Sequence, residues 1–203
     1  MANHLDKLVI ASGNPGKLRE INALLKPLNI NVIPQSAYSI SEAEEPHATF
    51  IENALTKARH ACAHTSLPAL ADDSGLCVNA LNGAPGILSA RFAGEPKSDQ
   101  RNNQKLIDCL NTASDHSAYY YCVIVLLRHI NDPQPIIADG KWYGKIIQES
   151  RGTGGFGYDP HFYIPKLGKT AAELEPHEKN TISHRGQALA RFIKALQQFQ
   201  SDN

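Results

Sequence analysis

The spacing of apolar and polar positions divides the chain into alternating strands and helices. Short, continuously apolar runs rich in β-branched residues are typical of buried strands, and an apolar period of about 3.6 residues indicates an amphipathic helix. The first half of the chain gives strand 5–12, helix 17–26, strand 30–33, helix 49–64 and strand 70–78. The second half gives helix 97–110, strand 117–130, strand 135–149 and a closing helix 187–200.

The order of these elements predicts an α/β fold. A β-α-β-α-β beginning, followed by two long consecutive strands, favours a mixed sheet flanked by helices. The two long strands form a hairpin over 117–149, with its turn at 131–135, and this hairpin builds part of a second lobe. No repeat and no linker rich in Pro, Gly or Ser separates independent units, so we expect a single domain over 1–203.

Charge and hydropathy exclude several classes of partner. The 203 residues carry 20 Lys and Arg against 20 Asp and Glu, so the formal net charge is zero. Nucleic-acid and anionic-membrane surfaces need a basic excess, and no apolar run approaches the length of about 20 residues that spans a bilayer. The N-terminal stretch Met1–Lys7 lacks the apolar core of a signal peptide. We therefore expect a cytoplasmic protein with no nucleic-acid or membrane partner, whose four widely spaced cysteines are reduced thiols.

The segment Ser12–Lys17, Ser-Gly-Asn-Pro-Gly-Lys, joins the first strand to the first helix. Such a junction exposes backbone N–H groups at the helix start, where the helix dipole favours anions, and Lys17 adds a cation. Only two residues separate Gly13 from Gly16, and Leu18 follows the lysine, so the segment is not a P-loop. It predicts a phosphate-binding turn, and the alternative is a tight turn with a solvent-exposed lysine.

Carboxylates interrupt the third strand and crowd the loop before the second helix. Asp72 and Asp73 lie inside an apolar run, where buried carboxylates are unfavourable unless they are paired or bound to a metal. Because successive strand side chains face opposite ways, we expect one acid to face a cleft and the other to support the backbone. Mg²⁺ takes one or two protein carboxylates plus substrate phosphates, so one of Glu42, Glu44 and Glu45 would join Asp73. A capped strand end and a solvated acidic loop are the alternatives.

A glycine-rich loop and a basic stretch lie in the last quarter of the chain. The segment 152–159, Gly-Thr-Gly-Gly-Phe-Gly-Tyr-Asp, lets backbone pack closely on a flat ligand, and Phe156 offers a stacking face. Lys179 and the segment 183–186 precede the last predicted helix and supply cations for phosphates or donors for a base edge. A mobile loop and an ordinary helix start are the alternatives. Together these segments hold the groups needed to bind a nucleotide through metal-bound phosphates.

These motifs resemble those of the Ham1/RdgB-type inosine triphosphate pyrophosphatases, which act on non-canonical purine nucleoside triphosphates. The matching stretches are 12–21, 49–59, 71–76, 83–91, 152–160 and 183–188. The resemblance implies hydrolysis of ITP, dITP, XTP and dXTP to the monophosphate and pyrophosphate, which cleanses the nucleotide pool. It also implies a homodimer, with an elongated mixed sheet flanked by helices and two lobes that hold the active site in the cleft between them.

The resemblance also implies roles for single residues. By resemblance, Asp73 is the proton acceptor and, with Glu45, holds Mg²⁺. The residues implied to bind the triphosphate are Ser12, Gly13, Asn14, Pro15, Gly16 and Lys17, with Lys57 also reaching phosphate. The residues implied to line the nucleotide site are Ser74, Phe156, Gly157, Tyr158, Asp159, Lys179, His184 and Arg185.

Two other functions remain open on the sequence alone. A related Maf-like pyrophosphatase would act on pyrimidine or modified triphosphates, and a nucleotide-binding sensor would bind without catalysis. Donors such as Arg185 would donate hydrogen bonds to the 6-oxo group of hypoxanthine or xanthine, and would be mispaired against the 6-amino group of adenine, which is also a donor. Such a mismatch discriminates by about 10⁴-fold when polar groups stay buried and unpaired. Guanine shares the 6-oxo group, and the sequence does not show which residue rejects its 2-amino group.

Overall fold

The chain, described over residues 5–28 and 30–201 in a computed structural model, forms one mixed sheet with helices. The strands of that described part are β1 (Lys7–Ile10), β2 (Asn31–Pro34), β3 (Ala69–Val78), β4 (Ser117–Leu127), β5 (Ile136–Ile146), β6 (Phe162–Ile164) and β7 (Lys169–Thr170). Its α-helices are α1 (Pro15–Leu25), α2 (Phe50–Thr65), α3 (Asp99–Leu110), α4 (Pro176–Ile182) and α5 (His184–Ser201).

The order of strands in the sheet is β2-β1-β3-β4-β5-β6-β7. β1 pairs in parallel with both β2 and β3, with Val9 opposite Ile33 on one side and Ala69 on the other. The far end is antiparallel, since β6 pairs with β5 and β7, placing Tyr163 opposite Lys145 and Thr170. The α1 and α2 crossovers make the parallel part possible, as parallel neighbours need a long connection. The predicted α/β fold with a mixed sheet is confirmed.

Three parts of the prediction were wrong in detail. β6, β7 and α4 were not predicted, because runs of three, two and seven residues are too short to show a period. α5 begins at His184 rather than at residue 187, so His184 and Arg185 lie in its first turn and do not precede it. β4 also ends at Leu127 rather than at residue 130. There Asp132 accepts hydrogen bonds from the backbone and side chain of Arg128 and turns the chain.

The described chain divides into two compact units. The first contains the described part of Met1–Asp73, Cys122–Gly140 and Arg185–Asn203, and the second contains Ser74–Tyr121 and Lys141–His184. β3, β4 and β5 each contribute residues to both units. The expectation of a single domain stays a prediction.

Each unit has its own apolar core. In the first unit, β1, β3 and β4 pack against α1 and α5, whose buried residues recur at helical spacing. Its fully buried side chains include Leu8, Ile10, Ile21, Leu25, Leu70, Ile124 and Phe192. The core of the second unit is richer in aromatic rings and includes Leu76, Leu106, Leu110, Tyr120, Trp142, Tyr158 and Phe162. These cores fix the strand ends and helix starts that carry the candidate site.

Two further expectations meet the structure only in part. Within the described residues, no helix has both the length and the apolar character needed to cross a membrane. The first four residues of the stretch Met1–Lys7, which lacks a signal-peptide pattern, lie outside the described residues. Cys62, Cys77, Cys109 and Cys122 are free thiols, as expected, and only Cys109 is exposed.

Candidate active site

The predicted phosphate-binding turn lies where β1 leads into α1. Asn14 caps the helix, since its Oδ1 accepts hydrogen bonds from the N–H groups of Gly16 at 2.8 Å and Lys17 at 3.2 Å. Pro15 takes the first helical position, where its missing N–H does no harm. Asn14 therefore occupies two of the N–H groups that the sequence seemed to offer to an anion. The turn itself is at the surface, since Gly13, Asn14 and Pro15 are exposed.

Lys17 extends from this turn to a buried network of charges around Asp72. Its Nζ lies 3.1 Å from Asp72 Oδ2, and the same oxygen accepts from Arg185 Nη2 at 3.0 Å. Arg185 also contacts the carboxylate of Glu20 and is 2% exposed. Burial would raise the pKa of Asp72, but Lys17, Arg185 and Lys57 outweigh burial and hold that pKa well below its usual range. Asp72 is thus the supporting member of the acidic pair, and its charge is neutralised inside the unit.

Asp73, the other member of the pair, is joined to Glu45 through Lys57. Lys57 Nζ lies 2.8 Å from Asp73 Oδ1 and 3.0 Å from Glu45 Oε1. Burial would lower the pKa of Lys57, but Asp73, Asp72 and Glu45 outweigh it and raise the pKa to about 12. The ammonium therefore stays charged at neutral pH and holds the two carboxylates together.

The position of Glu45 is set by the start of α2. Thr49 caps this helix by accepting from the N–H of Glu52, and Asn53 Oδ1 accepts from the N–H of His47 at 3.1 Å. Asn53 Nδ2 in turn donates to the carbonyl of His47, so the backbone just after Glu45 is tied to the first turns of the helix. Lys57 follows on the same helix, and this explains why it meets Glu45.

Two carboxylate oxygens of this group are buried without a hydrogen-bond partner within the described residues, Asp72 Oδ1 and Asp73 Oδ2, and of these two acids only Asp73 has a pKa that burial raises above its usual range. Asp73 is 6% exposed, and its Oδ2 is buried with no hydrogen-bond partner within the described part of the chain. An unpaired buried polar atom costs about 1–3 kcal/mol, so it marks a position that structure alone does not favour. Burial raises the pKa of Asp73 and outweighs the opposing charges of Lys57 and Lys17. Lys57 thus anchors one oxygen of Asp73, and the other oxygen is unpaired.

The carboxylates fit a divalent ion that is also held by a substrate. The described residues contain no group of three or more His, Cys, Asp or Glu side chains arranged to hold a metal. Asp73 and Glu45 share one ammonium, however, so their oxygens lie within reach of one cation. Mg²⁺ takes one or two protein carboxylates and completes its shell with water and phosphate oxygens. Glu44 is exposed and Glu42 lies against Gly13, so Glu45 is the acid that the structure groups with Asp73.

In the second unit, Asp159 organises the predicted base-binding residues. Its Oδ2 lies 2.6 Å from Lys179 Nζ and accepts from the N–H of Phe156 at 2.9 Å. The Tyr120 hydroxyl donates to its other oxygen at 3.3 Å. Asp159 is 2% exposed, and a Cβ on Gly155 would collide with its carboxylate, so the loop wraps tightly around it. The ammonium of Lys179 also lies 4.8 Å from the centre of the Phe156 ring.

Three further contacts fix the two residues that follow Phe156. The N–H of Gly157 donates to Asp99 Oδ2 at 2.7 Å, and Asn103 Nδ2 donates to the carbonyl of Gly157 at 2.9 Å. The hydroxyl of Tyr158 donates to the carbonyl of Ser89 at 2.7 Å. Gly157 has a φ of +63°, a conformation that favours glycine. The glycines of this loop are therefore needed for its shape.

His184 packs against Tyr120. The two rings are stacked, with centroids 4.7 Å apart and planes 11° from parallel. Burial, followed by the nearby Asp159 carboxylate, raises the pKa of Tyr120 well above its usual range, so the phenol stays protonated and can donate. Ser183 ends α4 and is buried, which places His184 at the start of α5.

The structure thus gathers the predicted residues into two groups. The acid cluster, in the first unit, consists of Lys17, Glu45, Lys57, Asp72, Asp73 and Arg185. The aromatic cluster, in the second unit, consists of Tyr120, Phe156, Asp159, Lys179 and His184. Ser74 follows Asp73 on β3, and Gly157 and Tyr158 follow Phe156.

Sequence reasoning missed three residues of the second unit, namely Asp99, Asn103 and Tyr120. A polar group in an apolar strand was the only available signal for Tyr120. Spacing by four on a predicted helix was the only signal for Asp99 and Asn103.

Comparisons with known proteins agree with one another. The model of the Ham1 family matches residues 8–195. A protein of Nitrosomonas europaea named dITP/XTP pyrophosphatase is 64% identical over 192 residues, 95% of each chain. One of the same name from Ralstonia nicotianae is 59% identical over 198 residues, 96% of this chain and 98% of its own. The solved structure of a HAM1 protein from Coxiella burnetii is 51% identical with a TM-score of 0.89, covering 95% of this chain and 98% of its own.

Proposed function

The chain belongs to the Ham1 family, and from this premise we propose that it hydrolyses ITP, dITP, XTP and dXTP to the monophosphate and pyrophosphate. This reaction removes non-canonical purine nucleotides from the pool and keeps them out of DNA and RNA. The shared name of the relatives supplies the substrate class. The observation that carries the chemistry is Asp73, with one oxygen on Lys57, the other buried and unpaired, and a pKa that burial raises while that of Asp72 is lowered.

Asp73 acts as the general base. Its Oδ2 takes a proton from a water molecule as the water oxygen attacks the α-phosphorus, and the bond from that phosphorus to the bridging oxygen breaks. Pyrophosphate leaves with the electron pair of the broken bond. The raised pKa of Asp73 brings its basicity closer to neutral pH, which favours proton transfer. Lys57 keeps Oδ1 in place and leaves Oδ2 to face the reaction.

Mg²⁺ is part of the proposal, with Glu45 and Asp73 as its protein ligands. Bound there, the ion would screen the negative charge on the phosphate oxygens. Two carboxylates are the number that Mg²⁺ takes when a triphosphate fills the rest of its shell. Lys57 already contacts both carboxylates, so these residues are held together before any ion arrives.

The turn from Ser12 to Lys17 binds the triphosphate. Gly13 and Pro15 are exposed there, and the helix dipole of α1 favours an anion at this end. Lys17 is held by Asp72 within reach of the turn, and its side chain keeps 15% of its surface exposed. Its charge and the dipole stabilise the charge that develops on the leaving pyrophosphate.

Residues 156–159, Lys179 and His184 receive the purine. Phe156 is half-buried and offers a ring face for stacking. The ammonium of Lys179 and the ring of His184 supply donors that suit a 6-oxo group. Arg185 belongs to the nucleotide site by family motif, but its guanidinium contacts Asp72 and Glu20. Its part in choosing the base is therefore indirect in this proposal.

We extend the proposal to assembly and location. The protein works as a homodimer in the cytoplasm, as a single domain, without nucleic-acid or membrane partners. Its formal net charge of zero supports the absence of a nucleic-acid partner. Light scattering on the eluting peak of a size-exclusion column tests the dimer directly.

A substrate panel tests the activity. Purified protein is given dITP, ITP, XTP, dUTP, GTP or ATP with Mg²⁺, and pyrophosphate and single phosphate are measured separately. We expect pyrophosphate from the first three, little turnover of GTP and ATP, and none after chelation of the metal. Single phosphate as the direct product would refute attack at the α-phosphorus. Preference for dUTP would favour a Maf-like enzyme, and binding without pyrophosphate release would favour a sensor.

A further inference from the structure

We propose that Asp99 and Asn103 of α3 are positioning residues for the purine base. They hold the backbone N–H and the backbone carbonyl of Gly157, and so fix the direction in which the neighbouring Phe156 presents its ring. The inference rests on the proposed function, in which residues 156–159 receive the base. Neither residue belongs to the motifs that carry the family resemblance.

The geometry is that of a two-point clamp. Asp99 Oδ2 accepts from the N–H of Gly157 at 2.7 Å, and Asn103 Nδ2 donates to the carbonyl of the same residue at 2.9 Å. Residues four apart lie on the same face of a helix, so both side chains reach one peptide segment from one side. The donor and acceptor pattern is specific, because an acid meets the N–H group and an amide N–H₂ meets the carbonyl.

The support behind the clamp is firm. Ser98 caps α3 by accepting from the N–H of Arg101, so the helix start that carries Asp99 is well defined. Leu106 and Leu110 of the same helix are fully buried in the core of the second unit. The clamp thus ties the glycine-rich loop to a rigid element.

The loop needs such support, because glycines dominate it. Gly152, Gly155 and Gly157 all have positive φ angles, and glycine loses more conformational freedom on ordering than any other residue. Phe156 has two anchors. Asp159 accepts a hydrogen bond from the N–H of Phe156, and the clamp holds the next residue, Gly157. With one anchor removed, the backbone around Phe156 regains rotations that turn its ring away from a stacked base.

Asn103 differs from an ordinary surface asparagine in the burial of its side-chain oxygen. Its Oδ1 is buried and has no hydrogen-bond partner within the described residues. A leucine or alanine at this position would avoid the cost of that unpaired oxygen. The contact that the asparagine gains in exchange is the hydrogen bond from its Nδ2 to the carbonyl of Gly157. Asp99, in contrast, is exposed, and its loss should leave the core undisturbed.

The decisive variant is Asn103→Asp. It keeps the size of the side chain but sets a carboxylate oxygen against the carbonyl of Gly157. We expect KM for dITP to rise about tenfold, the size of one lost hydrogen bond, with kcat within about twofold of wild type. Asp99→Ala should raise KM similarly, whereas Asp99→Asn keeps an acceptor and should recover most of the affinity.

Inorganic tripolyphosphate separates positioning of the base from general damage. Tripolyphosphate has phosphates but no base, so we expect it to compete with dITP, with an inhibition constant that is unchanged in Asn103→Asp. Asp108→Asn is the matched control, since Asp108 is an exposed acid of the same helix that contacts Gln104 and not the loop. Its KM for dITP should equal that of wild type.

Hydrogen exchange gives a readout that does not depend on turnover. The Gly157 amide should exchange slowly in wild type and Asp108→Asn, and quickly in Asp99→Ala. Equal weakening of dITP and tripolyphosphate in Asn103→Asp would overturn the inference, as would an unchanged KM for dITP. Wild type that fails to hydrolyse dITP would refute the proposed function and the base-positioning role with it. If wild type hydrolyses dITP but the variants do not show the expected rise in KM, only the clamp is refuted.

Discussion

The acid cluster and the aromatic cluster differ in the interactions that hold them together. The acid cluster buries opposite charges in contact, and its two carboxylates, Asp72 and Asp73, have pKa values moved in opposite directions. The aromatic cluster contains the ion pair of Lys179 with Asp159 and the stacked and tilted rings around Tyr120. Phosphate chemistry needs strong fields and a tuned base, whereas a purine needs flat faces and oriented hydrogen bonds. Changes in the first should lower kcat, and changes in the second should raise KM.

The largest effect should come from Asp73→Asn. The amide keeps the shape of the side chain but cannot take a proton, so kcat for dITP should fall by about 10³-fold or more. Binding of dITP, measured by calorimetry, should remain within about tenfold of wild type. Glu44→Gln is the control, since Glu44 is a nearby exposed acid and its removal should leave kcat unchanged. Near-normal turnover by Asp73→Asn would remove the catalytic half of the comparison.

Asp72→Asn should have a large effect on stability. Asp72 is 1% exposed and faces Lys17 and Arg185; the change takes this carboxylate from both cations, and Arg185 keeps its contact with Glu20. We expect the free energy of unfolding, from urea titration, to fall by about 3–5 kcal/mol. Asp139→Asn removes an exposed partner of Arg191 in the same unit and should cost less than about 1 kcal/mol. Equal losses in the two variants would contradict the buried-network interpretation.

The pH dependence of this difference has a definite sign. The folded-state pKa of Asp72 is depressed, so its contribution to stability is fully present above the pKa of the unfolded chain, near the ordinary value of 3.8. The contribution is lost as pH falls from there through the folded pKa. The gap in unfolding free energy between wild type and Asp72→Asn should therefore be constant near neutral pH and shrink only in acid.

The sequence predicted the long elements and the chemical types of the site, and it failed where contacts are distant along the chain. Period and β-branching were enough for β1, β3, β4, β5 and the first three helices, because burial of one face or of a whole run leaves a readable pattern. Alternation along β3 predicted different roles for Asp72 and Asp73. It did not indicate that Lys17 and Arg185, far apart in sequence, would meet at Asp72.

Partner choice was the other limit. Lys57 was expected, by resemblance, to reach phosphate, yet nothing in the sequence linked it to Glu45. Asn14 was counted among the phosphate-binding residues, and the structure shows that its side chain caps its own helix. A side chain that serves the backbone and one that serves a ligand have the same identity, so only coordinates separate them.

Lys57→Met tests how the acid cluster tunes its base. Burial raises the pKa of Asp73, and the ammonium of Lys57 opposes that rise, so removing the ammonium should raise the pKa of Asp73 further. Because Asp73 must be deprotonated to act, the acidic limb of the kcat/KM profile should move to higher pH, by about one unit or more. Turnover near neutral pH should fall by about 10- to 100-fold. Lys57→Arg keeps the cation and should keep the wild-type limb, and an unmoved limb in Lys57→Met would contradict this role.

The smallest effect should come from Tyr120→Phe in the aromatic cluster. The change keeps the ring that stacks on His184 and removes only the hydroxyl that donates to Asp159 at 3.3 Å. Asp159 keeps its contacts with Lys179 and the Phe156 amide, so KM for dITP should rise only about threefold, with kcat unchanged. Tyr119→Phe is the matched control on the same strand, because its ring contacts Tyr143 and its hydroxyl lies beside Cys77. A fall in kcat for Tyr120→Phe as large as that for Lys57→Met would mean that both clusters act on the chemical step. It would contradict the assignment of kcat effects to the acid cluster and KM effects to the aromatic cluster.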